Sequence, residues 1–244
     1  MRKLFLMALL AVGMSANAQF LEDKNNEFGN VGGVNLGDGV DENDRWTLHV
    51  NFGVNVPTSV PDDIEFAPFR SWEIGVTVLQ YDYTPKNWKT TFSAGLGFDW
   101  RNYTLKGHDK QFEKFLANTI PGHPEELVDV VTPVDKCDAR SSRIHTVSLS
   151  MPLLVKQSFS KNFAISVGAQ LNWNFRAHIH NYYEEGDIEI SEDTKKIGQR
   201  PFTVDVLGIV HVHKYGIYCK YSPMSVLKTD RGPEFKSLAF GLYF

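Results

Sequence analysis

Apolar and polar positions alternate with period two in one segment of this chain after another. From Phe235 to Phe244, Ser237, Ala239 and Gly241 alternate with Leu238, Phe240, Leu242 and Phe244. That periodicity belongs to strands with two unlike faces. Trp46 to Val56 sets Leu48, Val50, Phe52 and Val54 against Thr47, His49, Asn51 and Gly53. Lys89 to Tyr103 sets Phe92, Leu96, Phe98 and Trp100 against Ser93, Gly95, Gly97 and Asp99. Ile144 to Phe159 aligns Val147, Leu149, Met151 and Leu153, and Phe163 to Ile179 aligns Ile165, Val167, Leu171 and Trp173. Phe202 to Val212 puts Val204, Val206 and Val210 on one side. Ser71 to Tyr83 keeps Trp72, Ile74, Val76 and Val78 together until the phase slips at Leu79, where a bulge is expected. Tyr215 to Tyr221 is short and ambiguous in phase. Together these make about eight strands, the smallest closed membrane barrel.

The connections alternate in length. Pro57 to Arg70, Thr104 to Arg143 and His180 to Arg200 are long, whereas Pro85 to Trp88, Ser160 to Asn162 and His213-Lys214 are short. Short turns at one rim and long loops at the other are expected of an outer-membrane barrel with periplasmic termini. The polar face is small and uncharged at Ser93, Gly95, Gly97, Ser148, Ser150, Ser166 and Gly168, which suits a narrow interior more than a water-facing surface. Aromatics gather at the expected rims, with Trp88, Phe159, Phe163 and Phe244 at one and Trp100, Tyr103 and Trp173 towards the other. The expected fold is therefore all-β: a closed antiparallel up-and-down transmembrane barrel of about eight strands, with short periplasmic turns and long extracellular loops. Lipid would meet Phe92, Leu96, Phe98, Leu149, Leu153 and Ile165 on one part of the wall. Val167, Leu171, Leu238, Phe240, Leu242 and Phe244 would meet it on the rest.

The first residues add a location. Arg2 and Lys3 precede the apolar run Leu4 to Val12, and Ala16-Asn17-Ala18 supplies small residues for a signal peptidase, so cleavage after Ala18 is expected. The organisation is then a signal peptide over 1–18, an N-terminal periplasmic segment over 19–45 and a barrel over 46–244 in the outer membrane of a Gram-negative envelope. Removing Arg2 and Lys3 takes the formal net charge from −4 to −6, which disfavours nucleic acid as a partner. The two cysteines, Cys137 and Cys219, are too few for a disulfide framework. Two unpaired thiols, with Cys219 inside a strand, are the favoured reading, and one bridge between them in an oxidising periplasm is the alternative.

Three runs have a familiar look: Met151-Pro152-Leu153-Leu154-Val155-Lys156, Phe159-Ser160-Lys161-Asn162-Phe163 and Val167-Gly168-Ala169-Gln170-Leu171. They resemble the central hairpin of the outer-membrane β-barrel domain family, small porin-like barrels of the Bacteroidetes type. Lys220-Tyr221-Ser222-Pro223-Met224 and Phe240-Gly241-Leu242-Tyr243-Phe244 resemble the last two strands of that family. The resemblance implies an integral outer-membrane barrel, and its motifs report strands and turns rather than chemistry.

Candidate chemistry is sparse. His49, Glu73, Asp99, Arg101, Lys156, Arg176, His178, Asp205 and His211 fall on the inward face. Enclosed charges need partners, so a structural network of ion pairs is expected, with a proton or ion pathway as the sharper reading. The pairs His178/His180 and His211/His213 have metal-ligand character but lie near opposite rims, so no metal or cofactor is assigned. His145 and Ser148, three apart on a strand, point to opposite faces and cannot form a nucleophile and its base, so no catalytic residue is assigned. Gly95-Leu96-Gly97 lacks the helix and the further glycine of a nucleotide loop. Phe112, Phe115 and Leu116, followed by Pro121-Gly122, have the spacing of a short amphipathic helix. Glu184, Glu185, Asp187, Glu189, Glu192 and Asp193 form an acidic loop. The expected role is structural or surface recognition by a monomer, with outer-membrane lipid around it and an extracellular protein or glycan at its loops. A lipid-modifying enzyme, a narrow-channel transporter and a secreted soluble β-barrel binding protein are the alternatives.

Overall fold

The computed structural model describes residues 34–38, 45–60, 66–104, 112–120, 123–134, 137–185, 188–195, 197–228 and 234–244. The expected signal peptide lies outside them, as does most of the segment 19–45. The strands are β1 Val34–Asp38, β2 Arg45–Thr58, β3 Trp72–Tyr83, β4 Thr90–Thr104, β5 Phe112–Ile120 and β6 His123–Val134. They continue with β7 Cys137–Ser160, β8 Phe163–Glu185, β9 Ile188–Lys195, β10 Phe202–Val212, β11 Tyr215–Ser222 and β12 Lys236–Tyr243.

Eight of these close an antiparallel up-and-down barrel in the order β2-β12-β11-β10-β8-β7-β4-β3, with β3 returning to β2. Closure removes free edges from the wall, the requirement for strands that cross lipid. No helix among the described residues is long and apolar enough to cross a membrane. The short turns fall at one end. In the β3–β4 turn, Trp88 N–H donates to the Pro85 carbonyl at 3.0 Å and Asn87 adopts a left-handed φ of 65°, tolerable for asparagine. Between β7 and β8, Asn162 N–H reaches Ser160 Oγ at 3.4 Å. At this same end Phe244 exchanges backbone hydrogen bonds of 2.8 and 2.9 Å with Val50. There β1 takes over the edge of β2, with Val34 opposite Leu48, so β1 prolongs the line of the last strand.

Bulges reset the faces. The phase slip expected at Leu79 is a register shift between Thr77 and Leu79, and Val78 and Leu79 both point outward at 48% and 45% exposure. A second shift, between Val147 and Ser148 on β7, is matched on β8 by consecutive outward residues, Phe175 and Arg176.

At the long-loop end the connections contain more strand than expected. β7 and β8 run for 24 and 23 residues, against 8 each for β11 and β12. Their outer halves form an antiparallel extension that β9 joins, so Glu184 and Glu185 lie on β8 and Glu189, Glu192 and Asp193 on β9; Asp187 lies outside the described residues. The amphipathic helix expected at Phe112, Phe115 and Leu116 is instead β5, paired with β6 from Phe112 opposite Val134 to Ile120 opposite His123. The β-branched run around Val128, Val130 and Val131 favours a strand and gives the segment a backbone partner, which outweighs local helical spacing.

Candidate functional site

The wall is inside out. Phe92, Leu96, Phe98, Leu153, Val167, Leu171, Phe240, Leu242 and Phe244 are exposed on the outer surface; Leu149, Ile165 and Leu238 share that face, half-exposed. The opposite face is polar and enclosed. Glu73 and Arg101 are direct cross-strand neighbours on β3 and β4. Arg101 pairs with Asp205, with Asp99 at 3.4 Å and, through Nε, with Glu73 at 3.6 Å. Lys220 Nζ lies 3.0 Å from Glu73 and 2.9 Å from Asp99. Two cations thus serve three carboxylates, all almost wholly buried. Neutral donors complete the shell: Tyr218 Oη donates to Glu73 at 2.7 Å, Gln170 to Asp99 at 2.5 Å, and Asn172 to Asp205 at 2.7 Å. Asp205 Oδ1 has no hydrogen-bond partner among the described residues, in keeping with the shortage of cations. Gly75 makes room for this layer, because a Cβ there would strike the Asn51 and Asp99 side chains.

Towards the short turns lies a second polar layer. Asp82 accepts from Thr47 at 3.0 Å, Gln80 at 2.8 Å and Ser93 at 2.5 Å. His49 sits 3.0 Å from Thr47 Oγ1 and stacks on Tyr243 with ring centroids 4.9 Å apart. Ser166 Oγ and His211 Nε2 share a hydrogen bond of 2.8 Å. Leu154, Leu207 and Ile209 pack between the two layers.

The long-loop mouth is closed by a true apolar core. Tyr103, Ile144, Ala177, Ile179, Ile197, Val226, Leu227 and Phe235 are buried together, with Val60 and Phe66 against them. Residues on either side of 229–233 hold this core: Val226 N–H donates to the Phe235 carbonyl at 3.0 Å and Arg200 N–H to the Val226 carbonyl at 3.1 Å. Tyr103, expected at the lipid boundary, is wholly buried here, edge-on to Phe235 at 5.2 Å. Two cavities beside the ion pairs, lined by described residues, hold about 10 Å³ each, room for roughly one water.

Of the inward residues expected from sequence, His49, Glu73, Asp99, Arg101, Asp205 and His211 are buried in the lumen, and Lys156 is half-buried on the same face. Arg176 and His178 are corrections. The bulge at Phe175 and Arg176 reverses the phase of β8, so Ala177 and Ile179 point inward and Arg176, His178 and His180 outward. Gln170 and Asn172, on the polar face that the alternation of β8 predicts, belong to the lumen layers, as do Lys220, Tyr218, Gln80 and Asp82, which the pattern does not mark. For Lys220 and Tyr218 the missing signal was the phase of β11, where Tyr215, Ile217 and Cys219 face outward. Cys219 is a free, exposed thiol within strand β11, while the Cys137 backbone lies opposite Glu185 at the far end of the extension, an arrangement in keeping with unpaired thiols. Ser148 points inward to Asn174 at 2.5 Å, whereas His145 stacks outside on His178 with centroids 4.9 Å apart. His178 and His211 lie towards opposite ends of the barrel. On the extension, His180 Nδ1 lies 2.7 Å from Asp193, and this hydrogen bond holds the Asp193 carboxyl below its usual range.

A family model described as "Outer membrane protein beta-barrel domain" matches residues 12–213, ending at the β10–β11 turn. The two strands that close the barrel lie beyond the matched span. No curated protein matches the chain.

Proposed function

As a member of the outer membrane protein beta-barrel domain family, we propose, this chain is a filled, non-conducting anchor that presents a strand extension outside the cell. In this reading a leader cleaved after Ala18 directs export, and the short turns face the periplasm. The β7–β8–β9 extension and the β5–β6 hairpin would then stand on the outer surface, where they would meet an extracellular protein or glycan. The observation that carries the reading is the filled lumen: a buried ion-pair layer in the middle, an apolar core across the long-loop mouth, and cavities of about 10 Å³ beside the ion pairs. Enclosed charges cost several kcal/mol each unless paired, so such a layer suits bracing better than passage. The barrel therefore supplies position, and recognition falls to what projects from it.

Planar-bilayer recording tests this directly. Purified barrel should insert without discrete conductance steps, while antibody raised against the β9 sequence should label intact cells. Reproducible single-channel steps from the wild-type chain would overturn the filled-anchor reading in favour of a narrow transporter.

A further inference from the structure

The strand register sorts the outer wall at the long-loop end by depth. Phe98, Leu149, Trp173 and Phe202 form one row across β4, β7, β8 and β10, with Phe98, Trp173 and Phe202 exposed. One step further out, Trp100, Val147 and Arg176 align; beyond them come Asn102, His145, His178 and Lys195. Each step is two residues, ~6–7 Å along a strand and about 5 Å of depth at barrel tilt. Arg176 and Lys195 thus stand on the order of 5–10 Å beyond the aromatic row, the depth of lipid headgroups.

The cations belong to one arc. Arg176 and Lys195 are exposed, and His145 and His178 are half-exposed and stacked. Arg70 is exposed next to them, because its carbonyl accepts from Asn102, the β4 partner of His145. The carboxylate that faces this arc among the described residues, Asp193, is bonded to His180 one row further out. His178 Nδ1 has no hydrogen-bond partner among the described residues. The two outward bulges differ in the same sense: in β3 the paired residues are Val78 and Leu79, whereas in β8 they are an aromatic and a cation, Phe175 and Arg176. A bulge that turns an arginine out of the lumen, just above a tryptophan, aims it at the headgroup layer.

The geometry points to a binding site on this wall for a phosphate-bearing lipid headgroup, with Arg176 and Lys195 as its charged contacts, His145 and His178 as hydrogen-bonding neighbours, and Trp173 and Phe175 against the acyl chains. Arginine matches phosphate oxygens with paired donors, and each cation near an anionic surface adds measurable attraction. The lipid is favoured over a soluble anion because the site opens sideways, continuous with the apolar wall.

The site rests on the membrane seat proposed above, and binding to folded barrel in detergent separates the two. Native mass spectrometry would count phosphatidic acid and phosphatidylcholine retained by wild type, by Arg176→Gln/Lys195→Gln, and by Lys161→Gln at the opposite end. The prediction is about tenfold preferential retention of phosphatidic acid by wild type and by Lys161→Gln, lost in the double variant, whose heat-modifiable gel mobility stays normal. Equal retention of the two lipids, or undiminished preference in the double variant, would overturn the site. Displacement of the lipid by equimolar inorganic phosphate would overturn the lipid as its occupant.

Discussion

Below its bulge β8 turns Ser166, Gln170 and Asn172 into the lumen; beyond it, Ala177 and Ile179 occupy the inward face. The middle of the barrel is consequently filled by ion pairs and amides, and the long-loop end by a core like that of a soluble protein. The difference follows from what surrounds each region. In the bilayer, apolar residues gain nothing by turning inward, so the lumen takes the polar ones, and they must satisfy one another. Beyond the bilayer, water returns outside and apolar side chains are driven inward again. The bulge at Phe175 and Arg176 is the point where one regime hands over to the other.

The strongest way to break this contrast is to remove a cation from the middle layer. Arg101→Met strands Glu73, Asp99 and Asp205 on Lys220 alone and should destabilise the barrel by about 3–5 kcal/mol in urea unfolding from lipid vesicles. Adding Asp205→Leu should recover much of that loss, since a neutral pair leaves less unbalanced charge. In the outer core, Phe235→Ala removes the ring packed on Phe66 and Tyr103 and should cost about 3 kcal/mol by the same assay, with no dependence on salt. On the lipid face, Leu171→Arg should cost ~2–4 kcal/mol in vesicles and far less in detergent that wets the wall.

Much of the middle region was legible in the sequence, and the reason is physical. A strand between lipid and a packed lumen has two faces under opposite demands, so period-two alternation exposes Phe92 to Phe98 and Ile165 to Leu171 as wall and Glu73, Asp99 and Asp205 as interior. The slip at Leu79 was visible because two apolar residues in succession break the pattern. At Phe175 and Arg176 the bulge pairs an apolar with a charged residue, which leaves the alternation looking intact and placed Arg176 and His178 on the wrong face. Outside the bilayer a strand with water on one side no longer needs a clean apolar face. For that reason the ends of β7 before Ile144 and of β8 after Ile179, together with β9, read as loops, and β5 as a helix. The pattern does not mark Lys220 because β11 has only 8 residues, too few to fix its phase.

The smallest effect expected is on the extension itself. Asp193 is held below its usual value by the hydrogen bond to His180, so its contribution is present above the unfolded carboxylate range and is lost as pH falls through the lowered value. Hydrogen exchange should therefore show β9 loosening from β8 in acid below pH ~4 while the β3–β4 ladder stays protected. Loosening of both together would mean that the extension and the barrel are not the separate regimes described above.

The inside-out wall is tested most directly by neighbouring residues of one strand. Single cysteines at Ser166, Val167, Gln170 and Leu171, in a chain with Cys137→Ser and Cys219→Ser, would carry a small fluorophore in vesicles of acyl-brominated lipid. Strong quenching at Val167 and Leu171, with little at Ser166 and Gln170, is the outcome required. Equal quenching at all four, or quenching confined to Ser166 and Gln170, would contradict the account.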